Sequence, residues 1–152
     1  MARVSSISLI DSGILSFPDS FSYLSSLTKL DVCCNMLTHF PDPILNLTSL
    51  VHLNASDNRL TELPESIGNL ISLSWLFFCR NQLTCLPESI GNLSSLAEFY
   101  GHYNQLTCLP DSINRLTSLT YLSLHTNPIS STYEGKDEIR SRFGRDGLRI
   151  DV

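Results

Sequence analysis

The sequence predicts an α/β fold: a right-handed solenoid, curved into a horseshoe arc, with a parallel β-sheet on its concave side and short 3-10 or α turns on its convex side. Two observations lead to this prediction. Prolines recur at a spacing of 23 residues, at Pro18, Pro41, Pro64, Pro87 and Pro110. Apolar residues recur in the same columns, without an insertion, over residues 4–129. A period of this length is typical of solenoids, in which each repeat buries its apolar side against the next.

A short strand begins each repeat. Apolar residues alternate in a leucine-x-leucine segment, as at Leu53 and Ala55 or Leu76 and Phe78, which is the period of a strand with one buried face. One such strand cannot bury its apolar side alone, so the copies must stack in parallel.

An asparagine column follows these strands, at Asn35, Asn58, Asn81, Asn104 and Asn127. A buried asparagine in this turn can satisfy backbone groups of its own repeat and of the neighbouring repeat.

A helical turn is predicted after each proline. Proline suits the first position of such a turn because it lacks the N–H that would be unpaired there. The next residue is always acidic, as at Glu65 and Glu88, which favours a helix N-terminus. Isoleucine and leucine then follow at a spacing of three, as at Ile67 and Leu70, and they complete the core on the convex side.

The full repeat reads L-x-x-L-x-L-x-x-N-x-L-x-x-L-P-x-x-I-x-x-L-x-x. It resembles the leucine-rich repeat (LRR) family in its 23-residue class, and it is similar to intracellular Ras-binding-type and bacterial LRR proteins. The resemblance implies a repeat region over 4–132, with six repeats that begin near residues 4, 27, 50, 73, 96 and 119. It also implies a module that recognises a protein partner and is not an enzyme.

The two ends of the repeat array differ. The repeat fails after Ile129, and residues 133–152 predict a C-terminal cap. This cap has a helix at about 134–143, Gly144 in the position of its C-cap, and a strand at about 148–151. At the N-terminus, Val4 and Ile7 already occupy core columns. Either the first repeat is its own rough cap, which predicts a monomer, or the sequence is an excised or partnered piece, and weak self-association through this end is then expected.

Aromatic residues cluster in the columns that point out of the predicted sheet. Positions 23 apart become close neighbours, because adjacent strands lie about 4.8 Å apart. Trp, Tyr and Arg are enriched at binding hot spots, and an exposed aromatic patch usually marks a contact. The predicted partner-binding residues are Trp75, Phe77, Arg80, Glu98, Tyr100, His102, Tyr103, Tyr121 and His125.

The cysteine and histidine residues suggest three more specific alternatives to a protein-binding patch: a zinc site, a catalytic pair and a disulfide. Cys79, His102 and His125 share one column and are potential zinc ligands, but a fourth ligand is not evident. Cys79 beside His102 also resembles a nucleophile and its base, without an orienting acid. The expectation is therefore no catalytic residue, no metal and no cofactor. Cys85 and Cys108 share a column within disulfide reach, yet five cysteines and no secretory signal favour free thiols.

Charge and hydropathy narrow the partner class. The net charge of −5 argues against nucleic acid, and neither a membrane span nor a Sec-type signal peptide is visible. The expected location is cytoplasmic, or a host cytoplasm if the chain is a translocated bacterial effector. Analogy with the family suggests a small GTPase or a ubiquitin-pathway protein as partner. The alternative is the substrate-recognition part of a ubiquitin-ligase-type or other LRR enzyme whose catalytic domain lies outside this chain.

Overall fold

A computed structural model of the chain describes residues 4–143 and 147–152. The described residues form one sheet of parallel strands in chain order, with each strand paired to the next. The strands are β1 (Ser6–Ser8), β2 (Lys29–Asp31), β3 (His52–Asn54), β4 (Trp75–Phe77), β5 (Glu98–Tyr100), β6 (Tyr121–Ser123) and β7 (Arg149–Asp151). Between β1 and β6 the register advances by one repeat per strand, so that Leu53 lies opposite Leu76 and Leu76 opposite Phe99. The predicted solenoid is confirmed.

The leucine columns form one continuous core. From the second repeat onward, the repeated apolar positions are buried against one another. The first repeat differs: Val4, expected in the core, is 51% exposed, and Ile7 and Leu9 are only partly buried. Its apolar side chains have a neighbouring coil on one side only, because β1 is an edge strand among the described residues.

The asparagine column has the predicted hydrogen bonds. The Asn81 Oδ1 atom accepts from the backbone N–H of Leu60 at 3.0 Å, in the preceding repeat. Its Nδ2 atom donates to the carbonyl of Ala55 at 3.0 Å and to that of Phe78 at 3.2 Å. Asn58 and Asn104 repeat this arrangement one coil before and one coil after. Each asparagine therefore joins two coils through buried backbone groups.

Short 3-10 turns form the convex side. They span Asp19–Tyr23, Asp42–Asn46, Glu65–Asn69, Glu88–Asn92, Asp111–Arg115 and Pro128–Ser131. In the first five turns the acidic residue comes first, as expected. The expectation for proline was wrong by one position: Pro64 and its equivalents have an extended backbone and lie at the N-cap. The proline ring suits this position because its fixed φ is compatible with an extended conformation as well as with a helical one.

Repeats pack so closely on the convex side that residue 91 must be glycine. A Cβ atom on Gly91 would lie 2.7 Å from the Cβ of Ser112 and would also collide with the Ser112 carbonyl. We expect Gly91→Ala to lower the free energy of unfolding by about 1–3 kcal/mol, measured by urea denaturation, because overpacking displaces backbone. Asn114 occupies the same column one repeat later and is exposed, so Asn114→Ala should change stability by less than about 0.5 kcal/mol. Unchanged stability of Gly91→Ala would contradict this spacing.

The C-terminal end contains the longest helix of the described residues. Helix α1 (Tyr133–Arg142) starts at Thr132, whose hydroxyl accepts from the Gly135 N–H at 3.0 Å. Ile139 and Phe143 are buried in the core, and β7 adds to the sheet beside β6. Gly144 lies outside the described residues. None of the helices in the described part of the chain is long and apolar enough to cross a membrane.

Candidate functional site

All nine residues expected to bind a partner lie on β4, β5 and β6 or directly after these strands. None of their side chains is buried, and Trp75 and Tyr103 are the most exposed large rings among them, at 39% and 43%. The strand register brings Trp75, Glu98 and Tyr121 side by side, and it places Phe77 beside Tyr100. We call this surface the concave patch: Trp75, Phe77, Arg80, Glu98, Tyr100, His102, Tyr103, Tyr121 and His125.

Four rings form a continuous stack across the concave patch. Phe77 and Tyr100 stack almost in parallel, with ring centroids 4.6 Å apart and planes 11° apart. His52 extends the stack at 5.1 Å from Phe77, and Tyr121 extends it at 4.9 Å from Tyr100. The Arg149 guanidinium covers the Tyr121 ring at 5.6 Å. The rings hold one another in place, so the surface is ordered before a partner arrives.

Tyr100 is also fixed by a hydrogen bond. Its hydroxyl donates to the Glu98 Oε2 atom at 2.7 Å. Burial, followed by this bond to Glu98, raises the pKa of Tyr100 to about 12. The phenol therefore stays protonated at neutral pH and remains a donor within the concave patch.

Arg80 and Tyr103 lie together at the strand ends. The Arg80 guanidinium lies 4.7 Å from the centroid of the Tyr103 ring and 3.9 Å from the Asp57 carboxylate. Both residues have a left-handed backbone, with φ of 53° and 54°. The same column is left-handed in every repeat, at Asp11, Cys34, Asp57, Arg80, Tyr103 and Thr126. Glycine would be the least strained residue there, so the large side chains of Arg80 and Tyr103 are retained against a backbone cost.

His102 and His125 stack beside this pair. Their ring centroids lie 4.5 Å apart and their planes 13° apart. The Nδ1 atom of His102 lies 3.2 Å from the Ser123 hydroxyl and 3.3 Å from the Cys79 sulfur. The Nε2 atom of His125 lies 3.9 Å from the Asp151 carboxylate, which comes from β7.

Cys79 does not have the surroundings of a nucleophile or of an outward-pointing ligand. It belongs to an outward column of the sequence, yet the structure buries it. Burial is the main cause that raises the pKa of its thiol, whereas a reactive cysteine needs a lowered one. No group of three or more metal-ligating side chains in the described residues could hold an ion.

Three contributors to this surface were missed in the sequence. His52 is not among the nine residues expected to bind a partner, yet it continues the ring stack. Arg149 and Asp151 lie in the predicted cap strand, and β7 places them opposite Tyr121 and Ser123. The leucine-x-isoleucine alternation at residues 148–150 was the signal that could have placed both side chains on the concave face.

The concave patch is a broad face and not a deep cavity. Two surface hollows, of about 300 and 310 Å³, lie elsewhere. One is lined by Phe17 and Pro41, and the other by Thr107 and Pro128. Exposed rings, a guanidinium and a carboxylate spread over three strands suit contact with a macromolecular surface.

Acidification is expected to destabilise the fold through His52 and His102. Burial is the main cause that lowers the pKa of both below the usual 6.5, and the nearby charge of Lys29 adds to this at His52. Because the unfolded chain binds these protons more readily, their contribution to stability is complete above about pH 6.5 and is lost as the pH falls. We expect the urea midpoint to decrease below that pH, and less steeply in His102→Gln. An equal decrease in both proteins would contradict the role of His102.

Comparison with known proteins identifies the repeat. The chain matches the family model described as a leucine-rich repeat region over residues 4–139. It is similar to the structure of an LRR protein of Leptospira interrogans, with 35% identity and a TM-score of 0.85, and the match covers 91% of this chain and 34% of that chain. The chain thus spans about a third of that structure's length. None of the curated proteins gives a significant match.

Two plant structures are also similar. One is the LRR ectodomain of the membrane receptor kinase GASSHO1/SCHENGEN3 from Arabidopsis thaliana, in complex with CASPARIAN STRIP INTEGRITY FACTOR 2, with 31% identity, a TM-score of 0.73 and coverage of 82% of this chain and 16% of that chain. The other is the BIR2 ectodomain from the same plant, with 30% identity, a TM-score of 0.69 and coverage of 83% and 68%. The chain therefore belongs to the leucine-rich repeat family.

Proposed function

We propose that the chain is a recognition module whose concave patch binds a protein partner. One observation carries the proposal: exposed aromatic and arginine side chains concentrate on three adjacent strands of one face. The core columns account for folding, but they place no demand on what lies outside the sheet. Trp75, Tyr103 and Arg80 have the residue types that dominate measured hot spots.

Order within the patch supports tight binding. The stack through Phe77 and Tyr100, and the contact of Arg80 with Tyr103, already restrict these side chains. A partner then loses less affinity to side-chain ordering, which otherwise costs about 0.5–1.5 kcal/mol per flexible side chain.

Family membership supports the same function. LRR proteins typically act as protein-interaction modules and are generally not catalytic. The Arabidopsis receptor ectodomain was solved in complex with CASPARIAN STRIP INTEGRITY FACTOR 2. For this chain we propose only that the partner is a protein. The experiment below distinguishes a small GTPase, a ubiquitin-pathway protein and a host protein.

The division of the chain into a repeat region (4–132) and a C-terminal cap (133–152) is part of the proposal. Ile139 and Phe143 cover the core beside the last repeat, and β7 continues the sheet. The cap would hold β6 in place and would add Arg149 and Asp151 to the edge of the concave patch.

The proposal is tested by capture with matched variants. Wild type and the double variant Trp75→Ala/Tyr103→Asn are compared as baits in lysate of the source organism, and asparagine is chosen because it tolerates a left-handed backbone. Tyr23→Ala/Tyr133→Ala is the control, since both tyrosines are exposed away from the patch.

We expect a protein that binds wild type and the control but not the patch variant. With that protein purified, the patch variant should bind at least about 30-fold more weakly, which corresponds to one hot spot. Equal binding of all three baits would overturn the proposal.

A further inference from the structure

Cys85 and Cys108 occupy equivalent positions in consecutive coils. Each stands in a Thr-Cys-Leu-Pro segment between the asparagine turn and the convex side. Both thiols are free and exposed. The following residues, Leu86 and Leu109, are buried in the core, so the backbone holds both cysteines in the same orientation, facing solvent.

The spacing of the two coils suits a covalent link. The Thr107 N–H donates to the Thr84 carbonyl at 3.3 Å, so the backbones touch directly before the two cysteines. On the sheet side, Phe77 and Tyr100 of the same two coils stack at 4.6 Å. On the convex side, the backbone at Gly91 has no room for a Cβ atom beside the next coil. The coils are therefore in contact on both sides of the two cysteines, and the roughly 4.8 Å between adjacent strands of a sheet falls within the roughly 4.4–6.8 Å between Cα atoms that a disulfide spans.

The other cysteines are less suited to this chemistry. Cys79 is buried, and burial raises the pKa of its thiol. Burial, followed by a hydrogen bond with Cys34, raises the pKa of Cys33 to about 12. Cys34 is exposed but lies two coils away from Cys85 in the solenoid. Among the five thiols, Cys85 and Cys108 are the two that combine exposure with the same position on adjacent coils.

We infer that Cys85 and Cys108 form an oxidative modification site, which closes to a disulfide between the two coils when the folded protein meets a peroxide. One thiol ionises, its thiolate attacks a peroxide oxygen and the O–O bond breaks, so that a sulfenic acid forms and the leaving hydroxide takes up the thiol's proton to give water. The second thiol attacks the sulfenic sulfur, the S–S bond forms, and the sulfenic hydroxyl leaves with that thiol's proton as a second water. Two thiols lose two protons and two electrons, and one hydrogen peroxide is reduced to two waters.

Closure would fix the patch-bearing coils relative to each other. The fourth coil carries Trp75, Phe77 and Arg80, and the fifth carries Tyr100 and Tyr103. Cross-linking them restricts the unfolded chain. It also restricts relative movement between the fourth and fifth coils, which carry most of the patch. The modification site does not depend on the proposed function, because it rests on the flank of the solenoid and not on its concave face.

The experiment uses dilute, folded protein and hydrogen peroxide as the oxidant. After treatment, free thiols are alkylated and the protein is digested without reduction for mass spectrometry. We expect a peptide pair joined through Cys85 and Cys108, a loss of two alkylatable thiols, reversal by dithiothreitol and a higher Tm for the oxidised form. Cys34→Ser is the matched control and should give the same cross-link.

Three outcomes would overturn the inference. In the first, Cys85 and Cys108 each become sulfinic acids without joining. In the second, they join to cysteines of another molecule, which a non-reducing gel shows as a dimer that Cys85→Ser abolishes. In the third, the link forms equally fast in denaturing guanidinium, so that the fold does not direct it.

Discussion

Leu76→Ala is expected to lower the free energy of unfolding by about 2–5 kcal/mol. Leu76 is fully buried at the centre of β4, between Leu53 of the preceding strand and Phe99 of the next. Its truncation leaves a cavity that the neighbouring coils cannot close, because the strand register holds them apart. Urea denaturation measures the loss. Since whole domains are stable by only about 5–15 kcal/mol, this change is a large fraction of the total.

The neighbouring position supplies the control for Leu76. Trp75 lies on the same strand and points out of the sheet, with 39% of its surface exposed. Trp75→Ala should cost less than about 1 kcal/mol, although it removes more atoms. If Trp75→Ala destabilised the protein more than Leu76→Ala, the two faces of β4 would be the reverse of those described.

Asn81→Ala is expected to cost about 1–3 kcal/mol despite the small change in volume. It removes the acceptor of the Leu60 N–H in the preceding coil, whereas the Ala55 carbonyl of that coil keeps its bond from the Asn58 Nδ2 atom. Each buried group left without a partner costs about 1–3 kcal/mol. The measurement is again the unfolding free energy in urea.

Gln82→Ala is the matched control for Asn81. Gln82 is the next residue and is exposed, and its backbone N–H keeps its bond to the Leu60 carbonyl. This variant should lie within about 0.5 kcal/mol of wild type. Equal stability of Asn81→Ala and Gln82→Ala would show that the asparagine column does not join the coils.

The repeat could be derived from the sequence because each column has one structural role. A residue such as Leu76 or Asn81 meets the same neighbours in every coil, so five copies of one pattern make a strong prediction. Val4 was expected in the core but is exposed, because the burial of a column residue depends on whether another coil lies beside it. The residue type in the column does not show this. Pro64 was placed one residue too far along because proline suits both an N-cap and a first helical position.

The candidate site was predicted only in part. The outward columns placed Trp75 and Tyr100 on one face, since a period of two determines which side chains point out. The sequence does not show that Tyr100 stacks on Phe77, because ring rotamers depend on contacts across strands. The sequence also did not place Arg149 on the concave face, since the 23-residue spacing of the repeat is broken before β7. The left-handed column was missed for another reason: Arg80 and Tyr103 are not residues that favour such a backbone.

Hydroxyl-radical footprinting of the complex tests most directly whether the concave patch is the binding face. Oxidation of aromatic side chains is measured by mass spectrometry with and without the captured partner. Trp75 and Tyr103 report on the patch, whereas Tyr23 and Tyr133 report on surfaces outside it and are 83% and 80% exposed. We predict that the partner slows oxidation of Trp75 and Tyr103 several-fold and leaves Tyr23 and Tyr133 unchanged. Protection of Tyr23 or Tyr133, with Trp75 and Tyr103 still fully reactive, would contradict it.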